Sequence, residues 1–411
     1  PKPHLILSLV DDLGYSSVGF NSPAGEPLTP IIDGLARSGA ILSHHYAFRF
    51  CSPSRSSFLS GRLPLHVNQQ NHPPNVPGGG VPQNMTTIAT ILKREGYSTV
   101  HAGKWHGGMS HANLLPINRG FDTSLAMLSG SADHWTNIRE GFVDMWLDNA
   151  PAHGLNGTYS LDRYMAHALG AIDAHDPRIP LFLYMAFQDV HGPTEAPQRF
   201  LDLYPTTIHP ARRRGLAQIS AVDEAIGNLT GMLRAKGMWD ASLFVFSADN
   251  GGPADHEPNF PLRGAKGADF EGGVRTVAFA TGGVLPRWRR GGPSIDAQMH
   301  LCDWYATFAR LAGVTDLHDA PAAAAGLPPV DAIDMWPAIV GNISRSPRAE
   351  LPLSGGTRLK GTALIVECPS AHCPGSRGRY KLVRGKQTSG FFPGPTTPNG
   401  TKHGGDIVCA T

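Results

Sequence analysis

No run of the 411-residue chain approaches the ~18 consecutive apolar residues that a membrane span requires, so no segment reads as transmembrane. Blocks of like charge are missing too. Thirty-five Lys and Arg against 33 Asp and Glu leave a net charge of +2, and the densest basic cluster is only Arg212 to Arg214. The basic stripe that nucleic-acid binding needs is absent. Cysteine is scarce: the five at 51, 302, 368, 373 and 409 form an odd set, so at least one stays unpaired. No hydrophobic leader precedes His4, which reads as a mature or trimmed start. Internal repeats are also absent.

What is present is the composition of a globular protein. Hydrophobic residues make up 41%, and 48 Gly and 35 Pro supply many turns between periodic segments. Short apolar runs at 4–10, 97–101, 181–187, 243–247 and 277–280 read as strands buried on both faces. Helical patterns lie between them. Thr29-Pro30 opens one as N-cap and first helical residue, a second runs from about Thr87 to Glu95, and a third carries Leu216, Ile219, Val222, Ile226, Leu229 and Leu233 on one face. This alternation predicts an α/β fold, a large mostly parallel sheet sandwiched by helices. The Ala- and Pro-rich stretch 314–331 reads as a loop. Residues 1–345 are expected to form the catalytic domain and 346–411 a small strand-rich α+β C-terminal subdomain.

Polar residues gather where the strands end. Asp11-Asp12, Lys104 with His106, Asp189 with His191, and Asp249-Asn250 each follow an apolar run. In an open parallel sheet the carboxyl ends of the strands form the ligand crevice, so these distant residues are expected to converge. An Asp pair after a strand is ordinarily a turn or a helix cap. Two such pairs at buried strand ends need a counter-charge, and hard oxygen donors select calcium or magnesium over zinc.

Cys51 opens the run Cys51-Ser52-Pro53-Ser54-Arg55, followed by Leu59-Ser60-Gly61-Arg62. Alone, such a cysteine would read as a structural residue at a helix start. The full run resembles the sulfatase signature, in which a maturation enzyme oxidises the cysteine to formylglycine. The chain is similar to the sulfatase family, closest to its arylsulfatase B (N-acetylgalactosamine-4-sulfatase) branch. The resemblance is carried by 9–15, 103–106, 119–122, 190–193, 248–252, 261–264, Lys266 and 271–275, and it weakens in the tail.

The resemblance implies the alkaline phosphatase superfold and hydrolysis of sulfate monoesters. It implies one Ca²⁺ held by Asp11, Asp12, Asp249, Asn250 and modified Cys51. Arg55 would hold the hydrated aldehyde, while Lys104, His106, His191 and Lys266 surround the sulfate. His191 and Lys266 would protonate the leaving alcohol, and His106 would take the proton that lets sulfate depart. Glu271 and Arg275 would orient the loop carrying Lys266. The implied partners are a sulfated small molecule or glycan and, during maturation, the formylglycine-generating enzyme. The physical needs of the reaction match: cations on non-bridging oxygens, an in-line nucleophile and an acid for the leaving group.

Departures fall at 251–260, where Asp255, His256 and Glu257 are expected to give the pocket rim a different charge, and at 133–153. His44, His45, His66 and His72 carry no implied role. Five Asn-x-Ser/Thr sequons, at Asn84, Asn156, Asn228, Asn342 and Asn399, point to the secretory pathway, with a lysosomal or extracellular destination. There the four cysteines other than Cys51 would form two disulfides. Two other readings stay open: a phosphate ester hydrolase of the same superfold, against which Cys51 argues, and an inactive homologue that binds sulfated glycans.

Overall fold

A computed structural model describes residues 1–343, 345–355, 361–368 and 378–389, and the backbone of 407–409. A nine-stranded mixed sheet forms the centre. Its strands lie in the order Ala40–Ile41, Ala278–Thr281, Ser242–Ala248, His4–Val10, Leu181–Ala186, Ser98–Lys104, Thr123–Met127, Trp146–Leu147 and Ala150–Pro151. The five strands from Ser242–Ala248 to Thr123–Met127 are parallel, and both edges are antiparallel. The 277–280 segment, read as one more buried strand of a mostly parallel sheet, therefore runs the opposite way. The chain between Ala248 and Ala278 stays at the carboxyl edge, so the next strand re-enters from that side.

Apolar residues on alternate faces explain why the central strands are buried on both sides. Leu5, Leu7 and Leu9 pack into the layer containing Phe58, Leu92, Trp304 and Phe308. Ile6 and Val10 pack into the opposite layer with Tyr164, Leu216, Val222 and Leu229. Those layers are built from the helices Cys51–Ser60, Ile88–Arg94 and Asp303–Leu311 on one side, and Pro30–Ser38, Ser160–Ala174 and Pro210–Ala235 on the other. Thr29 is the N-cap residue of Pro30–Ser38, as read from the sequence. The stretch 314–331 carries one short helix, Ala320–Ala324.

A separate antiparallel sheet of Glu350–Ser354, Gly361–Cys368, Gly378–Gln387 and Ile407–Cys409 makes the C-terminal region strand-rich. Leu351, Leu353, Ala363 and Ile365 seat it on Tyr46, Leu63 and Val274. Cys302 is a free, buried thiol between Asp303 and Arg348. Two disulfides among the four remaining cysteines therefore do not form, because Cys302 is locked in the core. Cys373 and the Cys409 side chain lie outside the described residues. Among the described residues no helix is long and apolar enough to cross a membrane.

Away from the strand ends, three of the buried histidines are held far from their ordinary value. Burial pulls His45, His101 and His300 down to about 3 each, with His45 helped by His300, His101 by His167 and His300 by Arg348. The unfolded chain takes up their protons below its ordinary value near 6.5, while the fold refuses them until about 3. Stability present above pH 6.5 is thus lost as pH falls, on the order of 1 kcal/mol per pH unit for each. Thermal melts at stepped pH are expected to show a midpoint falling steadily below pH 6.5, with a shallower slope in His300→Gln. A midpoint flat down to pH 4 would contradict this.

Candidate active site

Four neighbouring strands deliver the site because their carboxyl ends lie side by side. Val10 pairs with Ala248, Leu9 with Ala186 and Ala186 with Gly103, so Asp11, Asp249, the loop carrying His191, and Lys104 emerge together. Gly103 permits the close approach: a Cβ there would lie 1.8 Å from Ala186 O. Asp12 and His106 take left-handed backbone angles of 59° and 49°, which turn their side chains from the strand direction.

Cys51 is the first residue of the helix Cys51–Ser60, every residue of which is buried. Gly61 ends it at φ 68°, where a Cβ would meet the Tyr305 ring at 2.6 Å. Arg62 then anchors the turn on Ser60 O at 2.9 Å, Pro328 O at 2.7 Å and Asp319 at 2.9 Å. The second half of the signature thus fixes how the helix presents its first residue.

Asp11, Asp12, Cys51 and His191 each offer a ligand atom within 4.8 Å of the others. Cys51 Sγ lies 3.8 Å from Asp12 Oδ1 and 3.4 Å from Lys266 Nζ. Asp249 Oδ1 accepts from Asp12 N at 3.2 Å, and its Oδ2 accepts from Arg55 Nε at 2.8 Å. Arg55 also donates to Lys104 O at 2.8 Å and stands 3.7 Å from Asp11 Oδ1. Lys104 pairs with Asp11, and Lys266 with Asp12 at 2.5 Å. Asn250 Nδ2 donates to Asp12 Oδ1 at 2.7 Å. His191 Nε2 is 3.5 Å from Asp12 Oδ2, with Nδ1 against Gly192 O at 2.6 Å. These contacts join Asp11, Asp12, Cys51, Arg55, Lys104, His191, Asp249, Asn250 and Lys266, and the buried His106 feels the charges of Lys104, Arg55 and Asp11.

Three carboxylates and three cations balance here. Burial opposes ionisation of Asp11, yet Lys104, His191, Arg55 and Lys266 hold it well below the usual carboxylate range. Asp12 is likewise lowered against burial by Lys266 and His191. Asp249 goes the other way, pushed up to about 7 by burial and by Asp11. Burial also pulls His106 well down, and His191 to about 4. Burial, reinforced by Asp11, pushes the Cys51 thiol far above its ordinary value, so as a plain thiol it is a poor nucleophile.

The donor set fits a hard cation. Asp11 Oδ1 and Asn250 Oδ1 are buried without a hydrogen-bond partner, and the carboxylates around them supply oxygen ligands. A divalent ion would turn a balanced pocket into a positive one.

Several supports carry no motif and escaped the sequence reading. Asn68 Nδ2 donates to Ser52 Oγ at 2.6 Å, and Ser52 Oγ to His106 O at 2.9 Å, which holds the His106 turn. Asp269, three residues after Lys266, pairs with Arg49, two before Cys51, and with Ser354 and Gln387 of the C-terminal sheet. Glu271 meets Lys381 at 2.9 Å and Tyr46 at 3.1 Å. Glu257 is not a rim charge: it is fully buried, 3.2 Å from Arg212, and accepts from Gly14 N at 3.3 Å. His256 is buried beside it, leaving Asp255 as the half-buried member. The loop 251–260 therefore ties the Asp11-Asp12 turn to the Asp249-Asn250 turn through buried backbone donors at Gly14 and Gly252, which an apolar contact would leave unpaired. His45 is a core residue on Thr276 and Trp304, and His44 and His66 pair with Asp296 and Asp331.

With this geometry in place, the class follows. Residues 3–314 match the sulfatase family, and the chain belongs to it. Among its relatives, mouse (Mus musculus) arylsulfatase J is 37% identical over 359 residues, covering 85% of this chain. Human (Homo sapiens) arylsulfatase A is 30% identical over 392 residues, covering 85% of this chain and 70% of its own length. The chain spans 58% of the length of arylsulfatase J. The crystal structure of Ps i-CgsB in complex with k-i-k-neocarrahexaose superposes with a TM-score of 0.77 at 27% identity, covering 94% of this chain and 84% of that one.

Proposed function

We propose that the chain hydrolyses sulfate monoesters through a formylglycine made from Cys51, beside one Ca²⁺ held by Asp11, Asp12, Asp249, Asn250 and residue 51. The observation that carries this is the position of Cys51, at a helix start, 3.8 Å from Asp12 and 3.4 Å from Lys266 among paired carboxylates and cations. The modified residue would supply a hydrated aldehyde, whose two oxygens allow one to take the sulfuryl group and the other to expel it. The cation would supply Lewis acidity and charge.

The chain's own residues do the rest. Lys104, paired with Asp11, and Lys266, 3.4 Å from Cys51 Sγ, would bind the non-bridging oxygens of an anionic ester. Arg55, held by Asp249 and Lys104 O, fixes residue 51 at the cluster. Asp249 is close enough to Cys51 to raise its thiol and is placed to take a proton from the attacking oxygen. His191, with Nδ1 donating to Gly192 O, presents Nε2; burial keeps the ring neutral at rest, so Nε2 takes up a proton only beside the negative charge of the bound ester and then shares its delivery to the leaving alcohol with Lys266. His106 takes the proton whose removal releases sulfate.

A sugar-borne or small-molecule sulfate ester is the proposed substrate, in keeping with the oligosaccharide-named ligand of Ps i-CgsB. Formylglycine-generating enzyme would act before folding, since Cys51 is 5% exposed in the finished structure. Asn84, Asn156, Asn228 and Asn342 are all exposed, which supports passage through the secretory pathway; Asn399 lies outside the described residues. A chromogenic aryl sulfate and the matching phosphate separate the competing readings. The sulfate is expected to turn over at least about 100-fold faster, a gap of roughly 2.7 kcal/mol in barrier. Preference for the phosphate, or tight binding of sulfated glycan without any turnover, would sink the proposal.

A further inference from the structure

His191 rides on a loop, residues 189–195, that leaves the strand Leu181–Ala186 at its carboxyl end. The near end is tied by backbone: Asp11 N donates to Asp189 O at 3.0 Å and Val190 N to Asp11 O at 2.9 Å. The whole loop is spanned by one phenol. Tyr159, 1% exposed, places its hydroxyl in hydrogen-bond contact with Asp189 Oδ1 and, at 2.9 Å, with Glu195 O. One oxygen therefore touches both ends of the segment that carries the imidazole.

The phenol itself cannot swing. Its ring stacks on His134 with centroids 5.1 Å apart and planes at 16°, and Trp135 packs on it at 5.3 Å. His134 is pinned by Ser160 Oγ at 2.9 Å, and its backbone N–H donates to Glu195 Oε2 at 2.9 Å. Asp189 is fully buried, and its Oδ2 has no hydrogen-bond partner. Tyr159 is thus the donor that keeps this carboxyl group in place; without it both oxygens would be unpaired in the interior, an unfavourable state that movement of the loop relieves. Such movement carries His191 away from its place 3.5 Å from Asp12.

We propose that Tyr159 is a positioning residue for His191, setting where the imidazole meets the ester while touching neither substrate nor metal. This rests on the reading that His191 faces the sulfate ester. A misplacement of about 1 Å can cost up to ~100-fold in rate, so a strap of this kind is worth measuring through kinetics rather than stability alone.

The test is a double-mutant cycle of Tyr159→Phe with His191→Ala, assayed on an activated aryl sulfate so that weak variants remain measurable. Tyr204→Phe is the control: Tyr204 also loses two hydrogen bonds, to Leu28 N at 3.0 Å and Ser220 Oγ at 2.6 Å, but none to the 189–195 loop. Tyr159→Phe is expected to lower kcat/KM about tenfold or more in the wild-type background and to add nothing in the His191→Ala background. Tyr204→Phe is expected to stay within about twofold of wild type while melting as low as Tyr159→Phe. An equal loss in both backgrounds, or Tyr159→Phe kinetics like those of Tyr204→Phe, overturns the inference. A His191→Ala variant with wild-type turnover instead overturns the reading of the site itself. Should Tyr159→Phe fail to fold, Asp189→Ala cuts the same strap from its other side and enters the same cycle.

Discussion

Cys51→Ala is expected to lower turnover by more than about 10⁴-fold, the scale seen when a covalent nucleophile is deleted, while far-ultraviolet dichroism stays unchanged. Cys51 packs with its thiol neutral, so losing it leaves no buried charge, and the fold should survive. Cys51→Ser is expected to be nearly as damaged. A serine presents one oxygen where the proposed chemistry uses two on one carbon, so it can accept the sulfuryl group but cannot expel it. Steady-state turnover of either variant within about tenfold of wild type would remove Cys51 from the reaction.

The second large effect concerns the oxygen cluster. Calcium at a hundredfold excess over its dissociation constant is expected to stabilise the chain by about 2.7 kcal/mol, by mass action on the folded state. Chelation is expected to remove both that gain and turnover. Asp249→Asn should abolish most of the calcium-dependent rise in melting temperature and lower turnover by about 10³-fold, because Arg55 Nε and Asp12 N both rest on this carboxylate. Differential scanning calorimetry with and without calcium checks the first arm on wild type and variant alike. A wild-type midpoint indifferent to calcium and chelator would contradict the cation site; an Asp249→Asn variant with an undiminished calcium response would remove Asp249 from it.

The centre of the molecule was readable because its chemistry is local to each strand. An apolar run followed at once by Asp11-Asp12, by Lys104 and His106, by His191 or by Asp249-Asn250 states both the strand and what its carboxyl end presents. Only the parallel pairing of those strands was needed to bring them together, and the alternation of strands with helices predicted it. Edge strands were less legible. Whether Ala278–Thr281 runs with or against its neighbour depends on which end of the sheet the preceding loop returns to, and residues 278–281 carry no record of that.

The supports were hardest to foresee, since a side chain's partner lies far along the chain. Glu257 read as a surface charge because acidic residues usually are, but Arg212 meets it in the interior from a helix that begins at Pro210. Cys302 counted toward a disulfide until packing showed it locked beside Asp303 and Arg348. Asp189 is one of the polar residues that follow an apolar run, and nothing in the sequence marks Tyr159 as its partner. Their pairing appears only when the 134–160 segment is folded against the His191 loop.

Mass spectrometry of the peptide from Phe50 to Arg55, run on the same preparation whose turnover is measured, tests the account most directly. Preparations made with graded amounts of formylglycine-generating enzyme should show turnover rising in proportion to the fraction in which residue 51 is an aldehyde, with an intercept at zero. Full turnover from material in which residue 51 is entirely a thiol would contradict it.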